Sequence, residues 1–219
     1  ADPSHSGMRF RSASMSLGHR RGQMPMRTIT VIETTSLDGI AQAPASPEED
    51  PRGDFRHGGW AATHLAGDPE VGPRVFSGPP ATAMLFGRRT YDQLVGHWLT
   101  TTQPNPFSDV LRSTPKHVAT RDPAIDLPHP HSRALLGEAA QTVAAFKDDG
   151  DGEVVVLGSL ALVGDLTAAG LVDRFVLTTV PVVLGSGRRL FDGVHVPLEV
   201  EDSWTSPRGA VVATYRVLR

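Results

Sequence analysis

The sequence predicts an α/β fold whose sheet is largely parallel and finishes antiparallel. Two patterns carry that prediction. Short runs of β-branched and apolar residues alternate with helical segments along most of the chain, as strand–helix–strand units do. The last part, residues 173–219, is strand-rich and lacks helical spacing, which suits an antiparallel close. A third observation fixes how the sheet is covered. Glu153-Val-Val-Val-Leu157 is a continuous apolar run, the mark of a strand buried on both faces.

The elements follow in order. Arg27 to Thr35 is β-branched and alternating and reads as the first strand. Ser36-Leu-Asp-Gly39 closes it as a turn. Residues 42–59 hold Pro44, Pro47, Pro51 and several acids, then Gly58-Gly59. That is a long loop, and long loops in compact domains are often lids. Trp60 to about Val75 has helical character, weakened by Gly67, Pro69, Gly72 and Pro73. Ala81–Phe86 is a short buried strand, followed by Gly87-Arg-Arg-Thr90 and a helix to Trp98. Residues 100–108 are polar and proline-rich, and Phe107–Ser113 makes one or two helical turns. Lys116–Thr120 is a third strand, and 122–133 a loop. Leu135, Leu136, Ala139, Val143 and Phe146 are spaced for an amphipathic helix over Ala134–Phe146. Glu153–Leu157 leads through Gly158-Ser159 into a helix ending near Ala169. Asp173–Leu184 is a long strand. Leu198–Trp204 and Ala210–Leu218 form a last antiparallel pair around Ser206-Pro-Arg-Gly209. No internal repeat and no second domain is visible.

Composition narrows the function. The chain has 219 residues, 21 basic and 24 acidic side chains, a net charge of −3 and 39% hydrophobic residues. That length buries a sizeable core. A charge this near neutrality argues against binding nucleic acid through a broad basic face. The absence of cysteine excludes thiol catalysis, disulfides, iron–sulfur clusters and cysteine zinc sites. No run approaches the 18 apolar residues of a membrane span. Residues 1–26 carry Arg9, Arg11, Arg20 and Arg21 against Asp2, so the remainder stands near −6. This stretch lacks the apolar core of a secretory signal. It reads as a disordered or appended start, with Met8, Met15, Met24 and Met26 as candidate initiators, and the working domain as 27–219.

The chemistry lies where strands end. Gly87-Arg88-Arg89-Thr90, Thr120-Arg121 and Gly158-Ser159-Leu160 each follow a strand directly. Ligands of open α/β sheets gather outside the carboxyl ends of strands. Helix starts there offer free N–H groups and a positive dipole end to phosphate, and glycine lets the backbone approach. Arginine at two of the three sites adds bidentate anion geometry. Together they describe a dinucleotide with an extra phosphate, NADP rather than NAD. Each has a plainer reading too: a glycine turn, or a solvated helix face for Arg88 and Arg89. No G-x-G-x-x-G follows the first strand and no G-x-x-x-x-G-K-[ST] occurs. Gly185-Ser-Gly187 is a glycine hairpin or a loop beside the substrate. His129-Pro-His131 has too few partners for a metal, and Asp148–Asp151 lacks calcium-loop spacing, so no metal is expected.

Taken in order, several segments resemble the dihydrofolate reductase-like superfamily. They are Thr34-Thr-Ser-Leu-Asp-Gly-Ile-Ala-Gln42, Phe86-Gly-Arg-Arg-Thr-Tyr91, Val118-Ala-Thr-Arg121, Val156-Leu-Gly-Ser159 and Pro181-Val-Val-Leu-Gly-Ser-Gly-Arg-Arg-Leu-Phe191. The likeness covers about 27–218 and is greatest to the branch of the C-terminal reductase domain of the bifunctional riboflavin biosynthesis protein. It implies a three-layer α/β/α fold with a mostly parallel mixed sheet ending in an antiparallel hairpin. It also implies a cytoplasmic, homodimeric, NADPH-dependent reductase of a small molecule, with no nucleic-acid or membrane partner. On that resemblance Gly87, Arg88, Arg89 and Thr90 hold phosphates, and Thr120 and Arg121 the adenosine 2′-phosphate side. Gly158, Ser159 and Leu160 take the pyrophosphate. Ile40 and Ala41 lie along the nicotinamide beneath the 42–59 loop.

The chain departs from that branch in two places and from dihydrofolate reductase in a third. Ile40 replaces the basic residue after Asp-Gly. Phe55-Arg-His-Gly-Gly-Trp60 stands where a Trp-Ile-Thr segment is typical. The folate-pocket acid has no counterpart after Trp60. No deaminase-like partner domain accompanies it, and without cysteine its zinc site cannot exist here. The chain looks like the stand-alone members that carry Gly-Gly-Trp. Two residues are the catalytic candidates. Asp38 is a polar anchor or proton relay, or simply the acid of a Leu-Asp-Gly turn. Trp60 is a platform for a flat heterocycle, or a core aromatic. His57 is a loop histidine near the double glycine. The expected substrate is a small heterocycle or carbonyl compound, with 5-amino-6-(5-phosphoribosylamino)uracil the best named choice. The alternatives are a dihydrofolate or pterin reductase, or a nucleotide-binding module without turnover.

Overall fold

A computed structural model describes residues 26–102 and 106–219. The expectation of a disordered start over 1–26 lies, except for Met26, outside the described residues.

Eight strands form one sheet in the order β4-β3-β2-β5-β1-β6-β8-β7. The strands are β1 (Thr28–Ser36), β2 (Ala81–Gly87), β3 (Lys116–Thr120), β4 (Ser132–Leu136), β5 (Glu153–Leu157), β6 (Arg174–Val180), β7 (Leu198–Thr205) and β8 (Val211–Val217). The first six run parallel, and β8 and β7 close the sheet antiparallel.

Side-chain alternation sorts the helices into two layers. On one face, Ile29 and Val31 of β1 and Val154 and Val156 of β5 join one core cluster. Helices α6 (Ala139–Asp148) and α7 (Leu160–Ala168) cover that face through Val143, Leu162, Val163 and Leu166. The opposite face carries Ile32, Val155, Leu157 and Val176. It is covered by α1 (Trp60–Leu65), α2 (Val71–Val75), α3 (Arg88–Thr90), α4 (Gly96–Thr100) and α5 (Pro106–Ser113). Between α3 and α4 the chain stays helical as a π segment, Tyr91–Val95, whose Tyr91 and Val95 are fully buried. The result is the expected three-layer α/β/α architecture.

Three elements differ from the sequence expectation. The helix over Ala134–Phe146 begins only at Ala139, and Ser132–Leu136 is a strand paired with β3. The 135/139 spacing suits a helix. However, β3 presents a free edge, and Gly137, at φ +126°, turns the chain between strand and helix. The helix from Trp60 to Val75 is broken into α1 and α2, with Gly67 at φ +79° between them. Finally, β6 stops at Val180 rather than Leu184. Pro181 has no N–H to continue the ladder, the Val182 N–H turns back to the Val180 carbonyl, and Asp38 accepts the Leu184 and Gly185 amides.

Candidate functional site

The sheet order places β3, β2 and β5 side by side. All three expected phosphate turns therefore leave the carboxyl edge of adjacent parallel strands. Two of them touch. The Gly87 N–H donates to Ser159 Oγ at 2.9 Å. A Cβ on Gly158 would meet Thr90 Cγ2 at 3.1 Å. Gly158 and Ser159 are both left-handed, at φ +58° and +64°. For Ser159 that conformation carries strain, which a fold retains chiefly at functional positions. The two left-handed residues turn the chain sharply from β5 into the start of α7. Ser159 makes no side-chain cap to α7, so the helix's first amides stay available.

The third turn lies one strand further out. Thr120 ends β3, and the Gly137 N–H donates to its carbonyl. Arg121 is 76% exposed and donates to Glu138 Oε2 at 2.5 Å. An incoming phosphate would compete with Glu138 for this guanidinium. On the other side of β5, Ile40 and Ala41 are buried. Ala41 belongs to the same core cluster as Leu160 and Leu162 of α7. Arg88 pairs along its helix with Asp92, and Arg89 faces Asp50 at 3.5 Å.

The two catalytic candidates sit apart from these turns. Asp38 is a clamp. It accepts from Ser36 Oγ at 2.7 Å and from the Leu184 and Gly185 amides at 3.1 and 2.9 Å. Those donors, Ser36 first, hold its carboxyl down at about 2, so it is an anion at neutral pH and carries no proton to give. The geometry suits the anchor role. Trp60 is 6% exposed and packs with Val180, Phe55 and Leu184, with its Nε1–H donated to the Gln42 carbonyl at 2.9 Å. In this arrangement its ring belongs to the core under the 42–59 loop.

That loop is tied down by residues that sequence reasoning passed over. Gln42 is buried and donates to the Asp50 and Arg52 carbonyls, while its Oε1 accepts the Arg188 amide. Asp50 is surrounded by Arg52, Arg89 and Arg188 at 2.5, 3.5 and 3.6 Å. Its hydrogen bond from Arg52 leads the effects that hold its carboxyl below the ordinary range. Glu33 on β1 was missed as well. Burial, reinforced by Glu49, pushes its carboxyl up to about 8. Its signal was available: a lone acid inside an otherwise apolar and β-branched strand. Nothing in the sequence marks Asp50, because its arginine partners come from separate segments.

A cavity of about 200 Å³ opens beside the Asp38 turn, lined by Thr35, Gly39, Leu177, Thr179, Arg189 and Phe191 among others. Among the described residues, no group of three or more His, Asp or Glu side chains is placed to hold a metal ion. Also among them, no helix is long and apolar enough to cross a membrane.

Comparison with known proteins agrees with this architecture. The profile of the family described as the RibD C-terminal domain matches residues 27–212. No curated protein sequence matches the chain. Among solved structures, a protein from Shewanella sp. PV-4 named for riboflavin biosynthesis is similar, with a TM-score of 0.58 and 18% identity. The match covers 88% of this chain and 99% of that one. Dihydrofolate reductase from Enterococcus faecalis, complexed with NADP(H), matches at a TM-score of 0.51 and 15% identity, over 88% and 97%. RibD from Acinetobacter baumannii matches at 0.53 and 13% identity, over 89% of this chain and 59% of that longer one. At these identities the structural likeness establishes the fold.

Proposed function

The chain belongs to the RibD C-terminal domain family, and from that premise we propose that it is an NADPH-dependent reductase of a small heterocyclic or carbonyl substrate. A ribosylaminopyrimidine of the 5-amino-6-(5-phosphoribosylamino)uracil type is the leading candidate. One observation carries the cofactor reading. The Gly87 and Gly158–Ser159 turns close on each other at the mouth of adjacent strands, with a non-glycine residue held left-handed at the turn into α7. A side chain at Gly158 would crowd Thr90, so the backbone there is kept bare for close approach.

The residues present fit a phosphorylated dinucleotide. Gly87–Thr90 and Gly158–Leu160 would hold the pyrophosphate through backbone N–H groups, and Thr120 and Arg121 the 2′-phosphate. Ile40 and Ala41 would form the apolar wall along the nicotinamide. When bound, that group supplies a hydride from its C4 position. The chain's part is to orient it, to exclude water under the 42–59 loop and to deliver a proton. As in the branch it resembles, we propose that it works as a homodimer.

A folate or pterin substrate fits less well. The helix that begins at Trp60 reads Trp60-Ala-Ala-Thr-His-Leu65 and offers no acid to hold a pterin ring. The test is binding of NADPH and NADH by calorimetry, then NADPH oxidation against aminopyrimidines, pterins and carbonyl compounds. The expected result is tighter binding of NADPH and turnover with an aminopyrimidine. Binding without turnover would leave a nucleotide-binding module. Failure to bind NADPH, or binding no tighter than that of NADH, would remove the cofactor claim.

A further inference from the structure

Glu33 occupies a peculiar point of the sheet. β5 ends at Leu157, opposite Ile32, while β1 continues to Ser36 with β6 alone beside it. Glu33 is thus the first residue of β1 beyond the end of β5. It stands at the notch that opens between β1 and the Gly158–Ser159 turn, and openings of this kind are where α/β sheets take their ligands.

The residue is 5% exposed, and its Oε1 has no hydrogen-bond partner. The Thr34 N–H donates to its carboxyl. Leu177 is its neighbour in register on β6, and Leu157 ends β5 beside it. The charged group that acts on it from the 42–59 loop is Glu49, itself a carboxylate pushed up by burial. Among the described residues, no cation is paired with either carboxyl. An anion with an orphaned oxygen in such surroundings is costly, and the neutral acid is the favoured form. Buried unpartnered oxygens are rare, and this one belongs to the β1 residue that stands where β5 ends.

We propose that Glu33 is the proton donor of the reduction, a catalytic acid facing the reacting atoms at the β1–β5 notch. This rests on the reductase reading above. In the reaction, a C=N or C=O carbon receives hydride from a reduced nicotinamide, which is oxidised. The π electron pair moves onto the nitrogen or oxygen. That atom takes the Glu33 proton: the carboxyl O–H bond breaks as the new N–H or O–H bond forms. The Glu33 carboxylate then recovers a proton from water, and like-charge repulsion from Glu49 favours that recovery.

The test uses the full chain and three readouts. First, infrared spectra of wild type and Glu33→Gln at neutral pH should differ by the carbonyl band of one neutral carboxylic acid. Second, on any substrate of the panel that wild type reduces with NADPH, Glu33→Gln should lower kcat roughly 100-fold or more. NADPH affinity and KM should stay within about threefold, and Glu33→Asp should recover part of the rate. Third, the wild-type rate should fall as pH rises past the Glu33 pKa, and Glu49→Gln should move that limb to lower pH. The Gln variant is neutral and isosteric with the protonated acid, so its folding is checked by an unchanged NADPH affinity. Retention by Glu33→Gln of more than about a third of kcat, or absence of the carboxylic acid band, overturns the proposal while leaving the reductase reading intact. If wild type reduces nothing on the panel, the reductase reading itself fails and the proposal with it.

Discussion

Asp38 and Glu33 lie close together in sequence, and their carboxyls are driven in opposite directions. Asp38 gathers a hydroxyl and two backbone amides and is held at about 2, below its ordinary 3.8. The native state therefore binds fewer protons there than the unfolded chain. The clamp's contribution to stability is complete above pH 3.8 and is lost as pH falls toward 2. Asp38→Asn should consequently be most destabilising near neutral pH, and its unfolding midpoint should converge on that of wild type between pH 4 and 2. Thermal melts across that range check it. Glu33 works the other way. Its carboxyl is raised from 4.5 to about 8, so the native state binds more protons than the unfolded chain between those values. Stability therefore drains away as pH rises through that window. Glu33→Gln, which has nothing to ionise, should gain on wild type in denaturant midpoint from pH 4.5 to 8 and then level off. A constant difference across that range would show that Glu33 is ionised in the fold.

At the scale of elements, the turns are held by backbone geometry that few side chains can replace. Gly187 sits at φ +120°, and a Cβ there would lie 2.6 Å from Phe55 and 2.8 Å from Ile40. It lets the 185–189 loop press against both the 42–59 loop and the Ile40–Ala41 wall. Gly187→Ala should cost about 2–4 kcal/mol from overpacking and backbone strain together. It should also weaken NADPH binding, because Ile40 has to move; urea unfolding and calorimetry separate the two effects. Apart from β4, the strands, together with the Gly87 and Gly158 turns and the closing hairpin, were legible in the sequence, since each is announced locally by β-branched runs, glycine or proline. What was not legible depended on partners distant in the chain. Ser132–Leu136 is a strand because β3 offers it an edge. Asp50 matters because Arg52, Arg89 and Arg188 converge on it. Trp60 is placed by Gln42 and Val180 rather than by its neighbours in sequence. Glu33 was the exception, visible as an acid in an apolar strand but without meaning until β5 was seen to end beside it.

At the scale of the whole molecule, the sign of the charge opposes the proposed cofactor. The chain carries −3 overall and a more acidic body once its first residues are set aside. A multiply anionic dinucleotide must therefore be attracted by local groups. On the proposed reading, backbone amides of the Gly87–Thr90 and Gly158–Leu160 turns would meet the pyrophosphate at short range, where salt screens weakly. Arg121 is exposed, and Glu138 already neutralises it in part. Its attraction for a 2′-phosphate is long-range and open to solvent, so ionic strength should erode it first. NADPH affinity should thus fall more steeply with salt than NADH affinity. At about 20 mM ionic strength, Arg121→Ala should weaken NADPH roughly tenfold and NADH less than about twofold. The NADPH penalty should shrink several-fold near 500 mM as the Debye length contracts to a few ångströms. Glu138→Gln should shift NADPH the opposite way by freeing the guanidinium. Calorimetric titrations of both dinucleotides across that salt range decide the matter: parallel salt slopes, or equal losses for NADPH and NADH on removing Arg121, would place the extra phosphate somewhere other than the end of β3.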